Sequence, residues 1–329
     1  MTGVAIRDVK SDEDGMRLDR WFKTHYPALT FGRLQKLLRK GDVRVDGKRV
    51  KTNARLEGGQ KVRVPPLGEF AIPEAGREKR VPKVDPKDEA FVQDLVIFKN
   101  EDVIAINKPH GLAVQGGTKT ERHLDGMLDF LQFDAEERPR LVHRLDRDTS
   151  GVMLLARNRK SSTELGRGFK KHETRKVYWA VVVGVPEAES GTISLPLSKA
   201  GGHGNEKMIA DEDAGKNAIT EFEIIERAGM KFSLIALWPR TGRTHQLRVH
   251  MAAIGCPILG DGKYGGKEVQ LGGVGEKVSR KVHLHAREID LSGGMRIVAP
   301  LPEHMRTTFD LWGFDEAEAS KIEVFANIH

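Results

Sequence analysis

Three apolar runs in the second half of the chain leave little freedom of fold: KVYWAVVVG at 176–184, EFEIIER at 221–227 and KFSLIALWP at 231–239. The first alternates with period two and sets Val177, Trp179, Val181 and Val183 on one side, the spacing of a strand. The other two read as further antiparallel strands. VMLLA at 152–156 is short and wholly apolar, a buried strand, and LVIFKNEDVIAINKP at 95–109 breaks into two strands across an Asn100–Asp102 turn. Many strands joined by short turns, with few βαβ crossovers, predict an α+β fold: a mixed, largely antiparallel sheet flanked by helices.

A different pattern precedes this body. MRLDRWFKTHY places Leu18, Trp21 and Phe22 at helical spacing, and Pro27 ends that helix. Thr30 is a candidate N-cap for FGRLQKLLRKG, with Leu34, Leu37 and Leu38 on one face and Gly41 as C-cap. VRVDGKRV alternates Val43, Val45 and Val50 around Asp46-Gly47, a hairpin signal. Residues 16–64 hold fourteen Lys/Arg against four Asp/Glu, although the whole chain carries only +7. A basic module on a near-neutral body suggests a polyanion partner for the module; a solvated basic surface is the alternative. Residues 65–90 hold five of the fourteen prolines and read as a linker, so the expected division is a module at 1–64 and a body at 91–329.

Composition excludes several classes. No run approaches the roughly 18 apolar residues of a membrane span, and the N-terminus lacks the layout of a signal peptide. A single cysteine, Cys256, excludes an internal disulfide framework and a cysteine-based zinc site, which points to a reducing cytoplasm. His245, His250, His283 and His285 lack HExxH or a comparable carboxylate spacing, so no metal is expected. His250 falls on one helical face with Leu247, Met251 and Ile254 and reads as packed. LGGVGEK at 271–277 lacks the ending of a phosphate loop and reads as a surface insertion.

The chemistry concentrates in LVHRLDRDTSGVMLLARN at 141–158, which holds three arginines and two aspartates, four of these five charges running straight into an apolar strand. The charges therefore sit on a loop at a sheet edge, a natural cleft wall. Asp146, between Arg144 and Arg147, suits a nucleophile or an electrostatic stabiliser, although such clusters are also common as structural ion pairs. Asp148, Thr149 and Ser150 suit the turn before Gly151.

HRLDRDTSGVMLLA closely resembles the signature of the pseudouridine synthases of the RluA/RluC/RluD group. RKVYWAVVVG and TGRTHQLRVHMAAIGCPILGDGKYG resemble the second and third motifs of that family, in the expected order, and NKPHGLAVQGG and Leu284-His285-Ala286 also match. The stretch RLD, QKLLRKGDVRVDGKRV and RLEGGQKVRV resembles the αL RNA-binding module named after ribosomal small-subunit protein four. These resemblances imply isomerisation of uridine to pseudouridine in structured RNA, without cofactor or metal. The RluC type is the nearer match, with large-subunit ribosomal RNA as partner, and the RluD type shares most of the motifs. Asp146 matches the catalytic aspartate, which attacks the nucleoside or removes a ribose proton. Arg243 matches the arginine that pairs with it, and Tyr178 the tyrosine that stacks on the target base and helps to remove the C5 proton. Arg144 matches the position that fills the vacated stack; Leu284 lines the base pocket or is an ordinary core leucine. The module implies phosphate contacts for Arg17, Arg20, Arg33, Lys36, Arg39, Lys40, Arg44 and Lys48. The layout is compatible with a monomer. A non-catalytic assembly factor with the same fold is the competing class, against which the joint presence of Asp146, Tyr178 and Arg243 argues.

Overall fold

The computed structural model describes residues 3–67, 86–116, 120, 122–171, 174–202, 207–266, 269, 278–291 and 294–326. The chain divides into two compact units, Met1–Lys83 and Val84–His329.

In the first unit β1 (Ala5–Asp8), α1 (Leu18–His25), α2 (Phe31–Lys40), β2 (Arg44–Val45) and β3 (Lys61–Val64) follow in order, and β3 lies between antiparallel β1 and β2. α1 buries Leu18, Trp21 and Phe22, and α2 buries Leu34 and Leu38. Gly41 closes α2 in the left-handed conformation; Thr30 occupies the N-cap position, but its hydroxyl makes no cap bond. Asp46 and Gly47 both have positive φ, and Val45 and Lys48 exchange backbone hydrogen bonds of 3.1 and 2.9 Å, the primed turn that Asp-Gly favours. The hairpin expected around this turn goes no further. β2 pairs with β3 instead, because Val45 opposite Val62 buries an apolar pair that the exposed Lys48 and Arg49 cannot offer. Glu13 lies buried, accepting from Trp21 Nε1 at 2.9 Å and the Lys10 amide at 3.0 Å, with His25 Nε2 at 2.6 Å. Burial works to raise its carboxyl, but these hydrogen bonds hold it below the usual range.

The stretch expected as a linker is structured at both ends. Leu67 joins the core of the first unit, α3 (Pro86–Asp94) opens the second, and residues 68–85 lie outside the described residues. The second unit continues through β4 (Val96–Lys99), β5 (Val103–Lys108), α4 (Leu124–Met127), β6 (Arg140–Leu141), β7 (Ser150–Ala156), α5 (Arg159–Lys170), β8 (Arg175–Val183) and β9 (Ser190–Ser194). Then come β10 (Leu197–Ala200), β11 (Lys207–Ala210), β12 (Ile219–Ala228), β13 (Phe232–Pro239), α6 (Gln246–Ala253), β14 (Leu284–Leu291), β15 (Met295–Val298), α7 (Glu303–Trp312) and α8 (Glu316–Ala319).

One large sheet runs β4-β5-β7-β14-β8-β13-β12-β9, with β15 beside β14 and β6 beside β7; β10 and β11 form a separate hairpin. Its pairs are antiparallel except β7 with β14, which touch in parallel at Ser150–His285 and Gly151–Ala286. The alternation in β8 divides the core as the sequence predicts. Val177, Trp179 and Val181 face the layer of α7 and α8, while Tyr178, Ala180 and Val182 face the opposite layer. Trp179 stacks on Phe309 and Phe232 on Trp312, closing the first of these layers. The expected surface insertion at 271–277 lies outside the described residues.

Along the start of β14 three histidines are packed among apolar neighbours. His285 Nδ1 lies 2.9 Å from Ser150 Oγ, and His283 Nε2 lies 2.8 Å from Thr308 Oγ1. The His304 ring sits 5.0 Å from that of His283. Burial pushes His283 and His285 down to about 3 and His304 to about 4, so the folded protein keeps all three neutral. The unfolded chain protonates them near the ordinary histidine value of about 6.5. Stability is therefore whole above about pH 6.5 and is lost as pH falls toward 4, by up to about 1.4 kcal/mol per pH unit for each histidine. Urea unfolding midpoints at pH 7.5 and pH 5.0 should differ accordingly, and equal midpoints would show that these rings are not kept from protonating.

Candidate active site

The loop between β6 and β7 carries His143, Arg144, Leu145, Asp146, Arg147 and Asp148. Leu145 is buried and pulls the loop inward, while Arg144 and Arg147 stay exposed. The turn closes where the Thr149 amide donates to the Asp146 carbonyl at 3.1 Å. Lys108, at the end of β5, fastens this loop from below. Its fully buried ammonium donates to the carbonyls of Pro109 and Leu112 at 2.9 Å and of Arg147 at 3.2 Å. Burial pulls Lys108 down to about 7, against the attraction of Asp148 and Asp146.

A second wall comes from the segment between β13 and α6. Gln246 is the knot: its side-chain oxygen accepts from Thr241 Oγ1 at 2.7 Å and from the Arg243 amide at 3.1 Å. Its amide nitrogen donates to the Ile219 carbonyl and Thr220 Oγ1, both at 2.9 Å. A buried glutamine with its oxygen and nitrogen both engaged holds a loop in one conformation. His245 follows in the left-handed region, with Nδ1 2.6 Å from the Tyr264 hydroxyl. One turn on, buried Arg248 grips buried Asp261 through two hydrogen bonds of 2.7 Å and lies 3.6 Å from Asp148. A third wall is β8, where Tyr178 stands opposite Leu237 and Ala286, and the edge of β14 supplies Leu284.

These walls enclose a cavity of about 360 Å³. Asp146, Tyr178, Arg243, Arg144 and Leu284 all line it, so residues spread over 141 positions of sequence meet at one place. Asp146 is partly exposed within the cavity; Tyr178 and Leu284 are buried. Burial pushes the Tyr178 phenol up, and the nearby Asp146 carboxylate adds to the rise. Tyr178 is therefore firmly protonated, a ring to stack on rather than a ready base.

The expected pairing of Arg243 with Asp146 is not formed. Arg243 is exposed, its Nε donates to the Asn217 carbonyl at 3.0 Å, and among the described residues no ion pair joins it to Asp146. The reason is local: the Arg243 backbone is spent on Gln246, and its guanidinium finds a carbonyl acceptor beside it. The Asp146 carboxylate instead bears on two buried basic groups, Lys108 and Arg248, and works to raise both. Sequence reasoning passed over both, although Lys108 stands in NKPHG and Arg248 follows directly on THQL. His250, read as packed, is fully buried with Nε2 3.0 Å from the Leu195 carbonyl.

In the first unit Arg20, Arg33, Lys36, Arg39, Lys40 and Lys48 are exposed. Arg17 is paired with Asp19. Arg44 is half-buried, donating to the carbonyls of Gly41 and Gly47 at 3.1 and 3.2 Å. It ties two turns together, which commits its guanidinium to carbonyls rather than to phosphate. Among the described residues no helix is long and apolar enough to cross a membrane.

A family model described as RNA pseudouridylate synthase matches residues 102–253. A protein of Rickettsia conorii named ribosomal large subunit pseudouridine synthase C is 37% identical over 281 residues, 84% of this chain and 89% of that protein. Its namesake in Escherichia coli is 33% identical over 310 residues, 92% of this chain and 95% of the relative. Among solved structures, human RNA pseudouridylate synthase domain containing 4 superposes with a TM-score of 0.58 at 26% identity, covering 69% of this chain and 97% of that one.

Proposed function

This chain belongs to the RNA pseudouridylate synthase family of RNA uridine isomerases, and from that premise we propose that it converts specific uridines of large-subunit ribosomal RNA to pseudouridine with Asp146 as the catalytic group. The observation that carries the reading is the placement of one carboxylate beside a buried aromatic ring in a single cavity. The reaction breaks the bond from ribose C1′ to ring N1, turns the uracil, and joins C1′ to C5. Asp146 works at the ribose, as a nucleophile or by taking a ribose proton, with the buried Lys108 and Arg248 within reach of its charge. Tyr178 is the wall on which the base stacks. Leu284 closes the pocket beside it.

The target uridine leaves its stack before it can enter, at a cost of a few kcal/mol. Arg144, exposed at the rim two residues before Asp146, is placed to fill the gap, since a guanidinium both stacks on and hydrogen-bonds to bases. Arg243 swings from Asn217 to Asp146 once substrate covers the site, a move that exchanges one acceptor for a charged one. The exposed arginines and lysines of the first unit meet RNA phosphates, positioning the substrate without reading its bases. The protein would act in the cytoplasm as a monomer.

The test is a map of pseudouridines in large-subunit RNA from cells lacking the protein. Sites lost there and regained with the wild-type chain establish the activity and name the targets. An unchanged map would leave RNA binding without chemistry.

A further inference from the structure

Lys176 is a half-buried cation in the cavity wall that none of the roles above uses. It stands on β8 two residues before Tyr178, so strand alternation turns both side chains to the same face, and both line the cavity. Burial alone pulls its ammonium below the usual lysine value. Among the described residues no hydrogen bond or ion pair reaches Nζ, which lies 5.5 Å from the centre of the Phe169 ring. Its charge bears on the neighbouring His143, which burial first of all holds neutral, pushed down to about 3. An ammonium half withdrawn from water, with a ring face beside it and no hydrogen-bond acceptor, costs free energy that a leucine or methionine would not.

Position says what partner it awaits. Lys176 and Tyr178 line the cavity from the same face of β8, and Asp146 lines it from the loop before β7. The two side chains leave β8 roughly 7 Å apart, so a ring stacked on Tyr178 has Lys176 as its neighbour on the same face. With ribose at Asp146 and the ring on Tyr178, the carbonyl edge of the uracil comes to Lys176. We infer that Lys176 donates a hydrogen bond to a carbonyl oxygen of the flipped uracil and stabilises the negative charge that the detached ring carries. When the C1′–N1 bond breaks, its electron pair stays with the ring and is shared by N1, O2 and O4. That charge is discharged when C5 bonds to C1′, the C5 proton leaves and N1 gains a proton. A fixed cation at a carbonyl oxygen lowers the barrier on either side of this intermediate. A backbone phosphate is the less fitting partner, because the lysine lies inside the cavity while phosphates remain in solvent.

This inference rests on the pseudouridine synthase reading. The test uses the full chain and a large-subunit RNA fragment containing a mapped target, with uridine, 2-thiouridine or 4-thiouridine at that position. Lys176→Met should slow single-turnover pseudouridine formation by about 100-fold or more with RNA affinity unchanged, and Lys176→Arg should recover part of the rate. One of the two thio substitutions should slow the wild type yet leave Lys176→Met no slower than it already is. Lys176→Gln serves in place of methionine if the melting curve shows that variant unfolded. Weaker RNA binding with a shallower salt dependence and intact chemistry would assign Lys176 to a phosphate and overturn the inference. So would thio effects equal in wild type and variant, or an unchanged rate. Failure of the wild type to form pseudouridine in the fragment would instead sink the reading beneath it.

Discussion

Purified protein carrying Asp146→Asn is expected to form no pseudouridine above about one-thousandth of the wild-type rate, with RNA affinity and melting temperature nearly unchanged. The substitution keeps the size of the side chain. It also keeps the turn, because the bond that closes it uses the Asp146 backbone carbonyl and the Thr149 amide. What it removes is the charge, and with it both the nucleophile and the proton acceptor. Single-turnover formation on a mapped RNA target checks this directly. A variant that retained a tenth of the wild-type rate would move the chemistry to another residue. A variant that bound RNA poorly would mean that Asp146 shapes the cavity rather than acting in it. The Tyr178 phenol offers a second readout. Asp146 adds to its elevated value, so Asp146→Asn should lower it partway, with burial still holding it above an ordinary tyrosine.

The second large effect is structural. Gly151→Ala should destabilise the second unit by several kcal/mol, on the order of 3–5, enough to leave little folded protein. Gly151 sits at the parallel contact of β7 and β14 with φ +114, and an added Cβ would lie 2.2 Å from the Ala286 carbonyl oxygen and 2.5 Å from its amide nitrogen. Both atoms are backbone of a central strand, so neither can yield without breaking the sheet. The same crossing brings Ser150 to His285 and holds the loop of Asp146 close to Leu284. Urea unfolding of Gly151→Ala beside Gly166→Ala, which meets nothing within 4 Å, separates this clash from a general loss of glycine. Equal midpoints for the two variants would mean that the strands part easily at this point.

Arg243 illustrates a limit of motif reasoning. TGRTHQ locates Arg243 at the cavity, but its side chain takes the Asn217 carbonyl beside it as acceptor. Motifs assign a residue to a site. Its partner within the site depends on which atoms are near and on what solvent or substrate supplies.

Much of the fold is legible in the sequence, and for a physical reason. Helix and strand periods are local properties of side-chain spacing, so Leu18, Trp21 and Phe22 on one helix and the two faces of 176–184 could be read from the order of residues. The Asp46-Gly47 turn was legible because two positive φ angles in succession suit few other residue pairs. Asp146, Tyr178, Arg243, Arg144 and Leu284 were legible as a set only through resemblance. Long-range pairing decided the rest. The choice of β3 as partner for β2, the parallel meeting of β7 with β14, and the anchoring of the Asp146 loop by Lys108 join residues from 17 to 135 positions apart, where spacing carries no signal. A lysine reads as a surface residue until a sheet and a loop close over it. Sequence by itself determined the elements and the residues able to do chemistry; the tertiary structure alone decided which cations lost their water, because desolvation belongs to the packed chain and not to any segment of it.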